Sequence, residues 1–156
     1  MFTQILVALD GSELAEQALP MAQDLARSSN AAIHLIQVIS RQPELQAARG
    51  GGDYSLQAVE MDRDLARQLV EGRLSRGKEY LEGIAAQLKN AGLKVEAMML
   101  EGAADEQIIS YSREHGVDLI VISTHGYGGV KRLLLGSVTD RVIRSCEVPV
   151  LVVPCS

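Results

Sequence analysis

Short apolar runs alternate along this chain with longer stretches in which apolar residues recur every three or four positions. Gln4–Leu9 is the first run, Leu- and Val-rich, and predicts a strand. Asp10-Gly11-Ser12 breaks it and places Ser12 as the cap of a helix over Glu13–Ser28, whose apolar positions (Leu14, Ala15, Ala18, Leu19, Ala22, Leu25, Ala26) share one face. Ala32–Ile39 predicts the second strand. The stretch from Ser40 to about Gln57, with Pro43 and the triplet Gly50-Gly51-Gly52, reads as a mobile loop. A long helix over 56–90 follows, striped by Leu65, Leu69, Leu74, Leu81, Ile84 and Leu88. Gly72, Gly77 and Gly83 each weaken it by up to about 1 kcal/mol relative to alanine and invite a bend or break. Then come a strand over Val95–Leu100, a helix over Ala104–His115 stopped by Gly116, a strand over Val117–Ser123, a helix over Ser137–Ser145 and a last strand, Val150–Val153, behind Pro149.

Strands alternating with helices at this spacing give an α/β fold with a parallel sheet and right-handed crossovers. Ligands of such sheets sit beyond the carboxyl ends of the strands, where strand order reverses. Two loops with suitable chemistry fall there. One is Asp10-Gly11-Ser12. The other runs from Ser123 to Thr139 and carries Gly126, Gly128, Gly129 and Gly136, with hydroxyls at Ser123, Thr124, Ser137 and Thr139. Glycines let backbone approach a ligand without a Cβ in the way, and a helix start offers unpaired N–H groups and the positive end of its dipole. These are the parts of a phosphate cradle. The same residues also read as a flexible turn with Ser137 as helix cap and Asp140 three residues on as its partner.

Composition narrows the possibilities. The chain has 156 residues, is expected to form one domain over 1–156, and is 47% apolar but only 3% aromatic, so its core is built from Leu, Ile, Val and Ala. Fifteen basic against twenty acidic residues give a net charge of −5, which argues against a nucleic-acid or anionic-membrane surface. No apolar run approaches the roughly 18–20 residues of a membrane span, and residues 1–10 read as a strand rather than a signal peptide. Cys146 and Cys155 lack the partners and spacing of a metal site; the first is expected to pack as a small apolar residue, the second to lie in a terminal tail. A cytoplasmic location follows as the expectation.

At this level of detail the chain resembles the universal stress protein family, nearly end to end. Ile5-Leu-Val-Ala-Leu-Asp10-Gly11-Ser12 is similar to the family's first strand and loop. Val117-Asp118-Leu-Ile-Val-Ile-Ser-Thr-His125-Gly126, the segment Gly136-Ser137-Val-Thr-Asp-Arg-Val-Ile-Arg144 and Val148-Pro149-Val-Leu-Val-Val153 match better still. The family's ATP-binding branch carries Gly, two residues, Gly, nine residues, Gly, then Ser or Thr. Here Gly126, nine residues, Gly136 and Ser137 keep that register, and Ser123 stands where the branch has its first glycine. The resemblance implies an open, five-stranded, Rossmann-like sheet of order 3-2-1-4-5 with helices on both faces, of the adenine nucleotide α-hydrolase type. It also implies ATP, with Mg2+, lying across strands one and four. By position, Asp10 takes the ribose or adenine edge, Ala8 and Leu9 line the adenine pocket, and Val38 reads adenine through its main chain. Ile122 and Ser123 flank the sugar and first phosphate, while Gly126, Gly136, Ser137, Val138 and Thr139 hold the phosphates. A homodimer joined along Val150, Leu151, Val152 and Val153 is implied too; pairing that short apolar strand also removes an exposed edge.

Three functions are weighed on these residues: an ATP-binding, nucleotide-responsive regulatory dimer of the stress response, a slow ATP hydrolase or nucleotide-handling enzyme, and a dimerisation module without nucleotide. The chain has no Gly-x-x-x-x-Gly-Lys-Ser/Thr loop and no evident Ser-His-Asp arrangement, and Asp10 is the one well-placed acid, so binding without brisk turnover is favoured. His125 reads as a loop brace, His34 as structural, and His115 as a helix end. Lys131 and Arg132 divide between phosphate contact and a solvated face, with Arg141 and Arg144 weaker versions of the same.

Overall fold

Five apolar strands pair side by side into a single parallel sheet of order β3-β2-β1-β4-β5, as the family resemblance implied. The computed structural model describes residues 1–40, 56–124 and 135–155, of which 56–62 by backbone alone. In chain order the elements are β1 (Gln4–Leu9), α1 (Glu13–Glu16), α2 (Leu19–Ser29), β2 (Ala32–Ile39), α3 (Leu56–Asn90), β3 (Lys94–Glu101), α4 (Ala104–Glu114), β4 (Leu119–Ser123), α5 (Ser137–Ser145) and β5 (Val150–Val153). The loop expected over 40–57 and the glycines at 50–52 lie almost wholly outside the described residues, as does the stretch 125–134.

Alternation along the central strands sorts side chains into two cores. Ile5, Val7, Leu9, Ile33 and Leu35 point to one face, where Ala22 and Ala26 of α2 and Leu81, Ala85 and Leu88 of α3 cover them. Leu6, Ile36, Ile120 and Ile122 point to the other, beneath Ile108 and Tyr111 of α4 and Val142 of α5. β1 pairs with β2 from Gln4↔Ala32 to Leu9↔Gln37 and with β4 from Ile5↔Leu119 to Val7↔Val121, which brings the carboxyl ends of β1 and β4 together. β5 lies at the sheet edge, paired to β4 on one side.

Three elements depart from the sequence expectation. The helix over Glu13–Ser28 is two helices, interrupted at Gln17 and Ala18, with Pro20 in the first turn of α2. Proline lacks an N–H, and its ring strikes the carbonyl four residues back, so it begins a helix readily but does not continue one. By contrast α3 runs unbroken through its glycines. At Gly77 the end of the Met99 side chain occupies the place a Cβ would take. β4 begins at Leu119 rather than Val117, because Val117 N–H donates to Ser112 C=O in the turn. Asp118 clamps the start of β1: its Oδ2 accepts from Thr3 N (2.8 Å) and Thr3 Oγ1 (2.7 Å), its Oδ1 from Gln4 N (3.1 Å).

His34 is structural, as expected. It is buried on the α4 face with Nδ1 3.0 Å from Tyr111 Oη and Nε2 2.7 Å from Gln4 Oε1. Burial, foremost, holds its pKa below 6.5; Glu96, 3.7 Å away, opposes this, and His115 reinforces it. The native state therefore prefers neutral imidazole, and the unfolded chain binds the extra proton first as pH falls. Stability from this group is complete above pH 6.5 and declines as pH drops below it toward the native pKa. Urea midpoints at pH 7.5, 6.5 and 5.5 are expected to fall over the last interval and to fall less in His34→Gln; parallel declines in the two proteins would exclude His34 as the source.

Candidate functional site

Where β1 ends, the chain turns through Gly11 (φ +84°), a left-handed conformation that disfavours residues with a Cβ. Asp10, half-buried, is fixed in that turn: its Oδ1 accepts from Ser12 N (2.9 Å) and from Ser12 Oγ. Ser12 Oγ in turn accepts from Ala15 N (3.2 Å), so Ser12 is the cap of α1 that the sequence suggested.

The described ends of the second loop meet at the end of β4. Thr124 N–H donates to Val153 C=O (3.0 Å), Gly136 N–H to Thr124 C=O (2.7 Å), and Thr139 Oγ1 to Ser123 C=O (3.0 Å). These bonds hold the first turn of α5 against the strand. The N-cap of α5 is Gly136, not Ser137, and no side chain caps it among the described residues. The Ser137–Asp140 capping pair, the alternative reading of this segment, does not form; Asp140 instead accepts from Arg144 Nε at 3.0 Å. The difference matters chemically. A side-chain cap would occupy amides at this helix start, whereas here they keep their capacity for an anion.

Between the two loops lies a cavity of about 210 Å³. Its apolar lining is Ala8, Leu9, Ala15, Ile36, Val38, Ala104, Ile108, Ile122 and Val138, and its polar groups are Asp10, Ser123, Gly136, Ser137 and Thr139. Every site residue expected from the sequence therefore meets at one cavity, except Gly126, which is outside the described residues together with His125, Lys131 and Arg132. Thr139 enters it differently from expectation. Its hydroxyl, buried, donates to the Ser123 carbonyl, so it positions α5 rather than offering that proton outward. Arg141 lies 4.0 Å from Asp105, and Arg144 pairs with Asp140, both away from the lining. Ile36, Ala15, Ala104 and Ile108 were not foreseen. Ile36 was recoverable, since it precedes Val38 by two positions on one strand and faces the same way; the α4 residues required knowing where that helix packs.

An apolar lining, one carboxylate and the uncapped amides of a helix start suit a purine, sugar hydroxyls and phosphate respectively. No Lys, Arg, His or Cys lines the cavity among the described residues, and no group of three or more His, Cys, Asp or Glu side chains gathers there to hold a metal.

Comparison with known proteins agrees with this architecture. Residues 1–154 match the Universal stress protein family. The chain belongs to that family. It is 30% identical over 158 residues to universal stress protein MJ0577 of Methanocaldococcus jannaschii, covering 98% of this chain and 95% of the relative. The solved structure of MJ0577 superposes with a TM-score of 0.80, covering 100% of this chain and 98% of that one. Two other solved members share the fold: a universal stress protein in complex with cAMP (TM-score 0.60, 22% identity, 99% and 98% covered) and one from Archaeoglobus fulgidus in complex with dAMP (0.61, 20%, 97% and 97%).

Proposed function

We propose that this universal stress protein binds an adenine nucleotide, ATP foremost and with Mg2+, in the crevice between the β1 and β4 loops, and acts as a nucleotide-responsive regulatory dimer of the cytoplasm. One observation carries the reading: ten of the residues that the family resemblance implies for nucleotide contact line a single cavity, which combines an apolar lining, a carboxylate and an uncapped helix start. Fold relatives in complex with cAMP and dAMP support adenine nucleotides as the ligand class. Ala8, Leu9, Val38 and Ile122 hold the base, Asp10 accepts from the ribose, and the backbone at Gly136, Ser137 and Val138, with Ser123 and Gly126 before them, holds phosphates. Mg2+ is carried on the phosphates, which suits a crevice with one carboxylate. The edge of β5, Val150 to Val153, joins two copies.

Binding rather than hydrolysis is favoured because Asp10 Oδ1 is already fixed by Ser12 and no lysine or histidine lines the described crevice. A ligand of the native state raises its melting temperature by mass action. ATP at 100 times its dissociation constant stabilises by about 2.7 kcal/mol, or roughly 5–10 °C for a chain of this length. An unmoved midpoint in millimolar ATP would sink the proposal. Single-turnover phosphate release at about one per second or faster, within the ordinary range of enzymes, would overturn the non-enzymatic reading.

A further inference from the structure

β4 and β5 pair in register as far as Ser123↔Val153, and Thr124 adds one more rung by donating its N–H to the Val153 carbonyl at 3.0 Å. In a parallel pair a residue's N–H bonds the residue before its partner, and its carbonyl accepts from the residue after it. Continued regularly, this ladder would send the Cys155 N–H to the Thr124 carbonyl. It does not. Cys155 N–H donates to the Thr124 side chain, to Oγ1 at 3.1 Å, and the Thr124 carbonyl accepts from Gly136 N–H. That last bond, at 2.7 Å, lies at the short end of the N–H···O range and fastens the N-cap of α5 to the end of β4. Gly136 lines the nucleotide crevice, whereas Thr124 stands behind it, outside the lining.

We propose that Thr124 is a positioning residue of the nucleotide site: its hydroxyl takes the amide that the ladder would present to its carbonyl, which leaves the carbonyl to hold Gly136 and the start of α5 at the phosphate end. The proposal rests on the nucleotide reading above and adds to it a residue that touches no ligand. The arrangement needs a hydroxyl at this position. Serine and threonine carry a second acceptor close to their own backbone, whereas valine has threonine's shape and no acceptor. With valine, Cys155 N–H either loses its partner or turns to the carbonyl and shares it with Gly136, a three-centre arrangement that loosens the shorter bond. Cys155 also ties the two loops together, since its Sγ–H donates to the Leu14 carbonyl of α1 at 3.6 Å. The amide that Thr124 engages therefore belongs to a residue that braces the helix following the first loop.

The test compares the full chain with Thr124→Val and Thr124→Ser, by calorimetric titration with ATP and with adenosine and by hydrogen exchange at the Gly136 amide without nucleotide. Adenosine shares the base and sugar of ATP but has no phosphate, so it reads the apolar lining and not the helix start. Thr124→Val is expected to lower ATP affinity about tenfold, the equivalent of one hydrogen bond, with adenosine affinity within about twofold of the parent. Exchange at Gly136 is expected to quicken about tenfold in the same variant, because its bond to the Thr124 carbonyl opens more often. Thr124→Ser is expected to restore parental behaviour in both measurements. Undiminished ATP affinity in Thr124→Val would overturn the proposal and leave the nucleotide reading standing; a parent that binds neither ATP nor adenosine would remove both. Equal losses for the two ligands, or a valine variant that does not fold, would show that the hydroxyl serves the fold as a whole and would end its positioning role.

Discussion

Gly136→Val is expected to lower ATP affinity about 100-fold, or 2.7 kcal/mol, while the protein remains folded. The residue is the N-cap of α5, and its backbone lines the crevice beside the amides of Ser137 and Val138. A branched side chain there takes up space that a phosphate would fill and covers the uncapped N–H groups that attract it. The backbone itself tolerates the change. Gly136 has φ −57° and ψ 152°, a region open to any L-residue, and its N–H bond to the Thr124 carbonyl is untouched. Melting in the absence of nucleotide is therefore expected to stay within about 0.5 kcal/mol of the parent, as for surface replacements generally. Calorimetric titration alongside circular dichroism separates the two effects. Undiminished affinity in a folded variant would mean that the phosphates lie elsewhere.

The parts of this molecule legible in its sequence are those governed by local pattern. The apolar runs Gln4–Leu9 and Ala32–Ile39, the stop at Gly116 and the cap at Ser12 are each set within a few residues, and each appears in the structure as read. Strand order is not local. Nothing in the periodicity says that β1 lies between β2 and β4; that came from the family resemblance, and the carboxyl-end crevice follows from it. Seven well-spaced apolar positions predict one helix over Glu13–Ser28, whereas the missing N–H of Pro20 accompanies a division into two. The glycines of α3 predict a bend or break that the continuous helix does not show. Their conformational cost is intrinsic to the chain, whereas the packing of Leu81, Ala85 and Leu88 on the sheet, which keeps the helix whole, depends on strands distant in sequence.

The polar residues of the crevice show the same limit. Ser137, Thr139 and Asp140 all invite roles at a helix start, and residue type alone does not apportion them. In the structure Thr139 fastens the helix to Ser123, Asp140 pairs with Arg144, and Gly136 takes the cap position without a side chain to fill it. The amides thereby stay open to a ligand, and the buried Thr139 hydroxyl holds them at the strand end. Ser123 is part of the same device. Its carbonyl is what Thr139 grips, so the residue standing where the family's ATP-binding branch has glycine contributes through backbone that any residue supplies.

Two adjacent residues of β2 separate folding from binding. Leu35→Ala is expected to destabilise the protein by about 2–5 kcal/mol, since it removes a fully buried side chain from the core beneath α2 and α3 and leaves a cavity. Against the 5–15 kcal/mol of an ordinary domain, that is a fall in melting temperature of roughly 5–15 °C. Leu35 faces away from the nucleotide crevice, so ATP affinity measured well below the transition is expected to stay within about twofold of the parent, as for sites without shared partners. Ile36, one position on, points the other way and lines the crevice as well as the α4 core. Ile36→Ala is expected to lose comparable stability and, in addition, about tenfold in affinity, because shortening the slot removes apolar contact with the base. Equal losses of affinity in the two variants would show that the faces of the sheet do not act independently, and that the base is not seated on the Ile36 side.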